Sequence, residues 1–152
     1  MDSNLRREII VDNYQNPTNK MKITDKEFLE ARTVSDSCID NISLYVKFHG
    51  DVIEDVYFDG EACAITTSAT SIMIKKIIGK RIDEVEEVMD NYYKMINEEE
   101  YNKEILGELN AYEEIYMQPN RKKCAIFPFE TLKKAIEKHK NENWFFRKFP
   151  EK

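Results

Sequence analysis

The clearest alternation of hydrophobic and polar positions lies between residues 42 and 58. Ile42, Leu44, Val46 and Phe48 alternate with Ser43, Tyr45 and Lys47, and Val52, Val56 and Phe58 mark one face of the run that follows. A period of two predicts a β-hairpin, with His49-Gly50-Asp51 as its turn. Asp59-Gly60 predicts a second turn into a short third strand over 62–65, which completes a three-stranded antiparallel meander. Helical spacing surrounds this unit. Leu5, Ile9, Ile10 and Tyr14 predict an amphipathic first helix, capped by Ser3 or Asn4 and ended by Asn16-Pro17. Residues 18–37 are polar and irregular, with at most a turn of helix over 25–31. After Ile65, the run T-T-S-A-T-S-I-M-I-K-K-I-I-G predicts a helix whose hydroxyl residues cap its start and whose Gly79 closes it. Val85, Val88, Met89, Tyr92 and Ile96 predict another. Pro119 breaks the chain, and a closing helix carries Leu132, Ala135 and Ile136, with Pro128 at its start or at a kink. The sum is an α+β pattern.

Composition narrows the function classes. With 152 residues the chain has the length of one domain, 1–152, and can bury a core without metal or disulfides. Charged residues make up 34% and the net charge is -6, which argues against a broad basic surface and against nucleic acid as a partner. The first residues lack the apolar stretch of a signal peptide, and no apolar run approaches the length of a bilayer span, so a cytoplasmic protein without a membrane partner is expected. In that compartment three cysteines read as thiols, metal ligands or nucleophiles rather than a disulfide framework. The acidic stretch 83–108 is either a solvated helix face with an acidic loop or a partner surface. Trp144, Phe145, Phe146 and Phe149, in the tail 139–152, either cover the core or dock a partner.

The candidate chemistry sits at the thiols. Cys38 stands before the first predicted strand with Asp40 two residues on, Cys63 follows the hairpin, and Cys124 stands in R-K-K-C-A far downstream. The meander brings the Cys38 and Cys63 ends together, and each thiol falls at a predicted junction between elements. Cys63 lies just upstream of a helix N-terminus, whose positive end favours anionic groups. Three soft ligands and one carboxylate suit a four-coordinate zinc or an iron-sulfur site. No C-x-x-C spacing occurs, so each cysteine also reads as a small buried hydrophobe. Arg121 and Lys123 are either solvated cations or partners that offset the negative charge of such a site. His49 and His139 read as a turn residue and a surface residue.

At these residues the chain resembles the iron-sulfur cluster assembly family of IscU and the NifU N-terminal domain, within it most closely the SufU branch. The resemblance is carried by L-R-R-E-I-I-V-D-N-Y-Q-N-P, C-I-D, F-D-G-E-A-C-A-I-T-T-S-A-T-S-I-M and R-K-K-C-A-I-F, and it covers a core of about residues 5–138. Ile39 stands where the family has Gly, and Ser37 where a proline usually precedes the first Cys. Lys123 stands where IscU-type proteins carry His, and Arg121 precedes Cys124 by three as in SufU.

This resemblance implies a three-stranded antiparallel sheet with helices packed on one side and the site at one end. It implies zinc held by Cys38, Asp40, Cys63 and Cys124, and a sulfurtransferase in which Cys38 accepts sulfur from a SufS-type cysteine desulfurase with support from Arg121. A histidine of the desulfurase would take one zinc position and release Cys38. The sulfur would then pass to a downstream recipient. Two other readings stay open: a scaffold that assembles a labile [2Fe-2S] cluster, with iron in place of zinc, and a purely structural zinc protein.

Overall fold

The computed structural model describes the backbone of residues 1–35 and 40–148 and side chains through residue 142. Cys38, Ile39 and Phe149 lie outside the described residues, as do the side chains of Trp144, Phe145 and Phe146. The expectations placed on them are therefore not addressed by the fold.

The elements run α1 (Ser3–Gln15), β1 (Leu29–Val34), β2 (Asn41–His49), β3 (Val52–Glu61), α2 (Ala64–Ile77), α3 (Ile82–Ile96), α4 (Lys103–Leu106), two 3₁₀ turns (Gly107–Tyr112 and Ile115–Met117) and α5 (Pro119–Lys148). The sheet is a three-stranded antiparallel meander in the order β1-β2-β3. This is the expected α+β class, built with a different third strand.

That strand is β1, in the stretch expected to be irregular. Leu29, Ala31 and Thr33 face inward while Glu30, Arg32 and Val34 face solvent, an alternation muted by a short Ala and a polar Thr. The helical turn expected over 25–31 does not form; the Asp25 side chain accepts from the Glu27 amide at 2.9 Å and turns the chain into β1. Residues 62–65 are not a strand either, because α2 starts at Ala64. Nor does Asp59-Gly60 turn the chain. Gly60 pairs with Ile42 inside β3 at φ 129°, where a Cβ would sit 1.9 Å from the Asn41 carbonyl oxygen. The turn of the hairpin is at Gly50, φ 59°, as expected. A register shift at Lys47/Phe48 places Ile53, rather than Val52, with Val56 and Phe58 in the core.

Helices α2 and α5 pack against the sheet and each other, and α1 packs on α2. The core joins Leu44, Val46 and Phe58 of the sheet to Ile72, Met73 and Ile77 of α2 and Phe129 and Leu132 of α5. Each such side chain stabilises the fold by about 1.5–3 kcal/mol on burial. In α3, Val85, Val88, Met89, Tyr92 and Ile96 are buried as their spacing predicts, while Asp83, Glu84, Glu86, Glu87 and Asp90 are exposed. On α1 the stripe is rotated from the expected one. Leu5 and Tyr14 are exposed, whereas Ile9, Ile10 and the buried Asn13 face α2. The cause is polar: Ser71 donates to Asn13 Oδ1 at 2.8 Å and accepts from the Thr18 amide at 2.8 Å, which fixes the rotation of α1 on α2. Among the described residues no helix is long and apolar enough to cross a membrane.

Candidate metal centre

Three of the four expected ligands converge. The oxygen of Asp40 and the sulfurs of Cys63 and Cys124 lie within 4.8 Å of one another. Asp40 and Cys124 are buried and Cys63 is half-buried. The fourth, Cys38, lies outside the described residues, two positions before Asp40.

Each residue is delivered by a different element. Asp40 immediately precedes β2, where its carbonyl accepts from the Ser35 amide at 2.9 Å and closes the chain onto the end of β1. Cys63 follows β3 and is itself the N-cap of α2, with extended backbone and a sulfur that accepts from the Thr66 amide at 3.5 Å. The sequence pattern assigns that capping task to the hydroxyl residues after it. Cys124, expected at a junction, lies inside α5, in the second turn. The helix begins at Pro119, whose missing N–H costs nothing in a first turn. It continues through Pro128, which neither starts it nor ends it.

The carboxylate is held from two sides. Asp40 Oδ1 accepts from the Cys63 amide at 2.8 Å, and Oδ2 accepts from the Thr66 hydroxyl at 2.7 Å. The Cys63 sulfur is 4.0 Å from Oδ2 and 3.3 Å from the Thr66 hydroxyl. A buried carboxylate bonded in this way keeps its charge at lower cost than a bare one. Burial pushes the Cys124 thiol up to about 12, with hydrogen bonding to Cys63 and the charges of Cys63 and Asp40 acting in the same direction and the Thr66 hydroxyl opposing them. The metal-free centre therefore holds Cys124 as a neutral thiol, and a cation bound there displaces its proton.

Two soft sulfurs and one hard oxygen at this separation suit a borderline cation such as zinc, with room for one more donor in a tetrahedral set. Arg121 and Lys123 are exposed in the first turns of α5, and among the described residues neither side chain makes a hydrogen bond or ion pair. Thr66 is the contact that sequence reasoning missed. The signal for it was its position three residues after Cys63, the spacing at which a helix cap meets its own first turn.

Comparison with known proteins locates the chain. Residues 5–144 match the model of the NifU-like N terminal domain. The chain is similar to the zinc-dependent sulfurtransferase SufU of Bacillus subtilis, at 33% identity over 91% of this chain and 94% of that protein. It is similar to the iron-sulfur cluster assembly scaffold protein IscU of Thermotoga maritima, at 34% identity over 67% of this chain and 72% of that protein. Among solved structures it resembles an iron-sulfur cluster assembly scaffold protein for the SUF system from Fervidobacterium islandicum. That likeness has a TM-score of 0.76 and 35% identity, and it covers 84% of this chain and 93% of that one.

Proposed function

This chain belongs to the NifU-like N terminal domain family of iron-sulfur cluster assembly proteins, and from that premise we propose that it is a zinc-dependent sulfur acceptor fed by a SufS-type cysteine desulfurase. The observation that carries the reading is the approach of Asp40, Cys63 and Cys124 to within 4.8 Å. With Cys38 they make a donor set of three thiols and one carboxylate, the composition of a four-coordinate zinc site. Zinc, when bound, keeps its sulfur ligands deprotonated at neutral pH.

The chain's own residues do the rest. Cys38 is the sulfur acceptor: its thiolate attacks the outer sulfur of a persulfide on the desulfurase cysteine, the S–S bond of that persulfide breaks, and the cysteine sulfur leaves as a thiolate. Cys38 then carries the persulfide, with no net change in oxidation, ready for a downstream recipient. Cys63 and Cys124 hold the centre to α2 and α5. Asp40 is the hard ligand among soft ones and the one best able to let go. Arg121, exposed one turn before Cys124, supports the site through charge and hydrogen bonding rather than as a ligand, since a guanidinium does not give up its proton. Reduced thiols require a cytoplasmic setting, which is part of the same proposal.

A second reading, a scaffold for a labile [2Fe-2S] cluster on the same residues, draws on the scaffold names of two similar proteins. The absence of a histidine before Cys124, where Lys123 stands, favours the sulfur acceptor. Elemental analysis decides between them: close to one zinc per chain and little iron is expected. A coloured, stoichiometric iron-sulfur protein from anaerobic purification selects the scaffold. Desulfurase and cysteine should then load a persulfide on the wild type and none on Cys38→Ala. Undiminished desulfurase stimulation by Cys38→Ala overturns the acceptor assignment, and Arg121→Ala is expected to keep its metal but transfer sulfur slowly.

A further inference from the structure

Helix α2 is rich in hydroxyl residues, and most of them behave alike. Thr67 donates to the Ala62 carbonyl, Ser68 to Ile65 and Thr70 to Thr66, each bonding back to its own helix or the turn before it. That is the ordinary fate of a buried Ser or Thr in a helix. Ser71 instead reaches Asn13 of α1, and Thr66 departs in another direction. Fully buried, its hydroxyl turns away from the helix and lies 2.7 Å from Asp40 Oδ2, 3.3 Å from the Cys63 sulfur and 3.2 Å from the Cys124 carbonyl oxygen. One side chain thus touches all three converging residues.

The Cys124 carbonyl is available to it for a reason written in the sequence. In an α-helix that carbonyl would accept from the residue four positions on, which is Pro128 and has no N–H. The hydroxyl carries one proton. Its shortest contact, at 2.7 Å, assigns that proton to Asp40, and the Cys124 carbonyl at 3.2 Å is a second, longer acceptor.

We propose that Thr66 is the positioning residue of the metal centre, holding the Asp40 carboxylate in a fixed pose so that it meets the cation as a preformed ligand. This rests on the metal-binding reading given above. The Cys63 amide and the Thr66 hydroxyl grip one carboxylate oxygen each, so the group cannot swing freely before metal arrives, and Thr66 supplies the half of that grip that a side-chain substitution can remove.

The experiment measures zinc affinity by chelator competition on the full chain, freed of metal and checked for folding by circular dichroism. Thr66→Val keeps the shape and removes the donor, and it is expected to weaken zinc binding about 10- to 100-fold, the usual cost of losing an outer partner of a ligand. Thr66→Ser restores the donor and should restore affinity. In an Asp40→Ala background the same Thr66→Val change should cost little, because the group it positions is gone. Equal losses in both backgrounds, or failure of Thr66→Ser to rescue, would mean that Thr66 acts through packing, and the proposal falls while the zinc site stands. A wild-type chain that binds no zinc overturns both. Should Thr66→Val not fold, Thr66→Ala run through the same two backgrounds separates positioning from packing in the same way.

Discussion

The amide of Cys63 donates to Asp40 Oδ1 at 2.8 Å, so the residue that brings one thiol to the centre also fixes its carboxylate. The pairing joins the start of β2 to the start of α2 across 23 residues of chain. Asp40→Ala removes the acceptor of both that amide and the Thr66 hydroxyl. The Thr66 hydroxyl can fall back on the Cys124 carbonyl at 3.2 Å, but the Cys63 amide loses its acceptor at about 1–3 kcal/mol, offset in part by relief of a buried charge. Metal-free Asp40→Ala should therefore show a lower denaturation midpoint than the metal-free wild type, with an unchanged denaturant slope. An equal or higher midpoint would show that the charge, not its partners, dominates.

Gly60 and Gly50 should respond very differently to the same change. A Cβ at Gly60 meets the Asn41 carbonyl oxygen at 1.9 Å, a backbone atom that cannot step aside without opening β2 from β3 next to Asp40. Gly50 has nothing within 4 Å, and only its positive φ opposes a side chain. Gly50→Ala should cost about 1–2 kcal/mol. Gly60→Ala should cost more than that and also weaken metal retention, because it moves the backbone beside Asp40, the proposed ligand. Denaturation and metal content measured on both variants check the contrast.

Alkaline pH should unfold the protein through its buried tyrosines. Burial pushes Tyr92 well above the ordinary phenol range, with Tyr112 and Tyr93 adding to it. Tyr112 is also raised by burial, the Ser68 hydrogen bond opposing and the charges of Cys63 and Glu108 reinforcing. Their folded-state values lie above the unfolded value near 10, so the unfolded chain loses these protons first. The contribution to stability is intact below about pH 10 and is lost as pH rises beyond it. Tyrosinate absorbance should appear in two phases, the later one coincident with loss of circular dichroism. Complete tyrosine ionisation in a chain still folded would contradict the burial of this pair.

How much of this was legible in the residues depended on how each element earns its place. The hairpin was readable because Ile42, Leu44 and Val46 alternate strongly and Gly50 marks the turn. Strand β1 was not, because its inward positions are Leu29, Ala31 and Thr33, only one of them large and apolar. The short run 62–65 offers four residues, too few for periodicity to separate a strand from a helix start. Cys63 was recognisable as a candidate ligand, yet its task as a helix cap was hidden, since cysteine is not among the usual capping residues. Pro128 read as the start or a kink of the closing helix, yet it lies inside α5, and only tertiary contact shows that Thr66 reaches the carbonyl it leaves free.

Asp40→Cys tests whether the centre is built to open. A carboxylate oxygen holds zinc less tenaciously than a thiolate sulfur, and Asp40 stays anchored by the Cys63 amide and the Thr66 hydroxyl when it lets the metal go. A site of purely structural purpose gains from a fourth thiolate, because tighter metal binding adds directly to folded-state stability. A site that must exchange a ligand with a desulfurase loses by it. The variant is therefore expected to release zinc to a chelator more slowly than wild type and to accept sulfur poorly. Both measurements belong on one preparation, so that a misfolded fraction lowers them together and cannot imitate the result. Slower release with unimpaired desulfurase stimulation would assign the metal to the fold and remove Asp40 from the transfer.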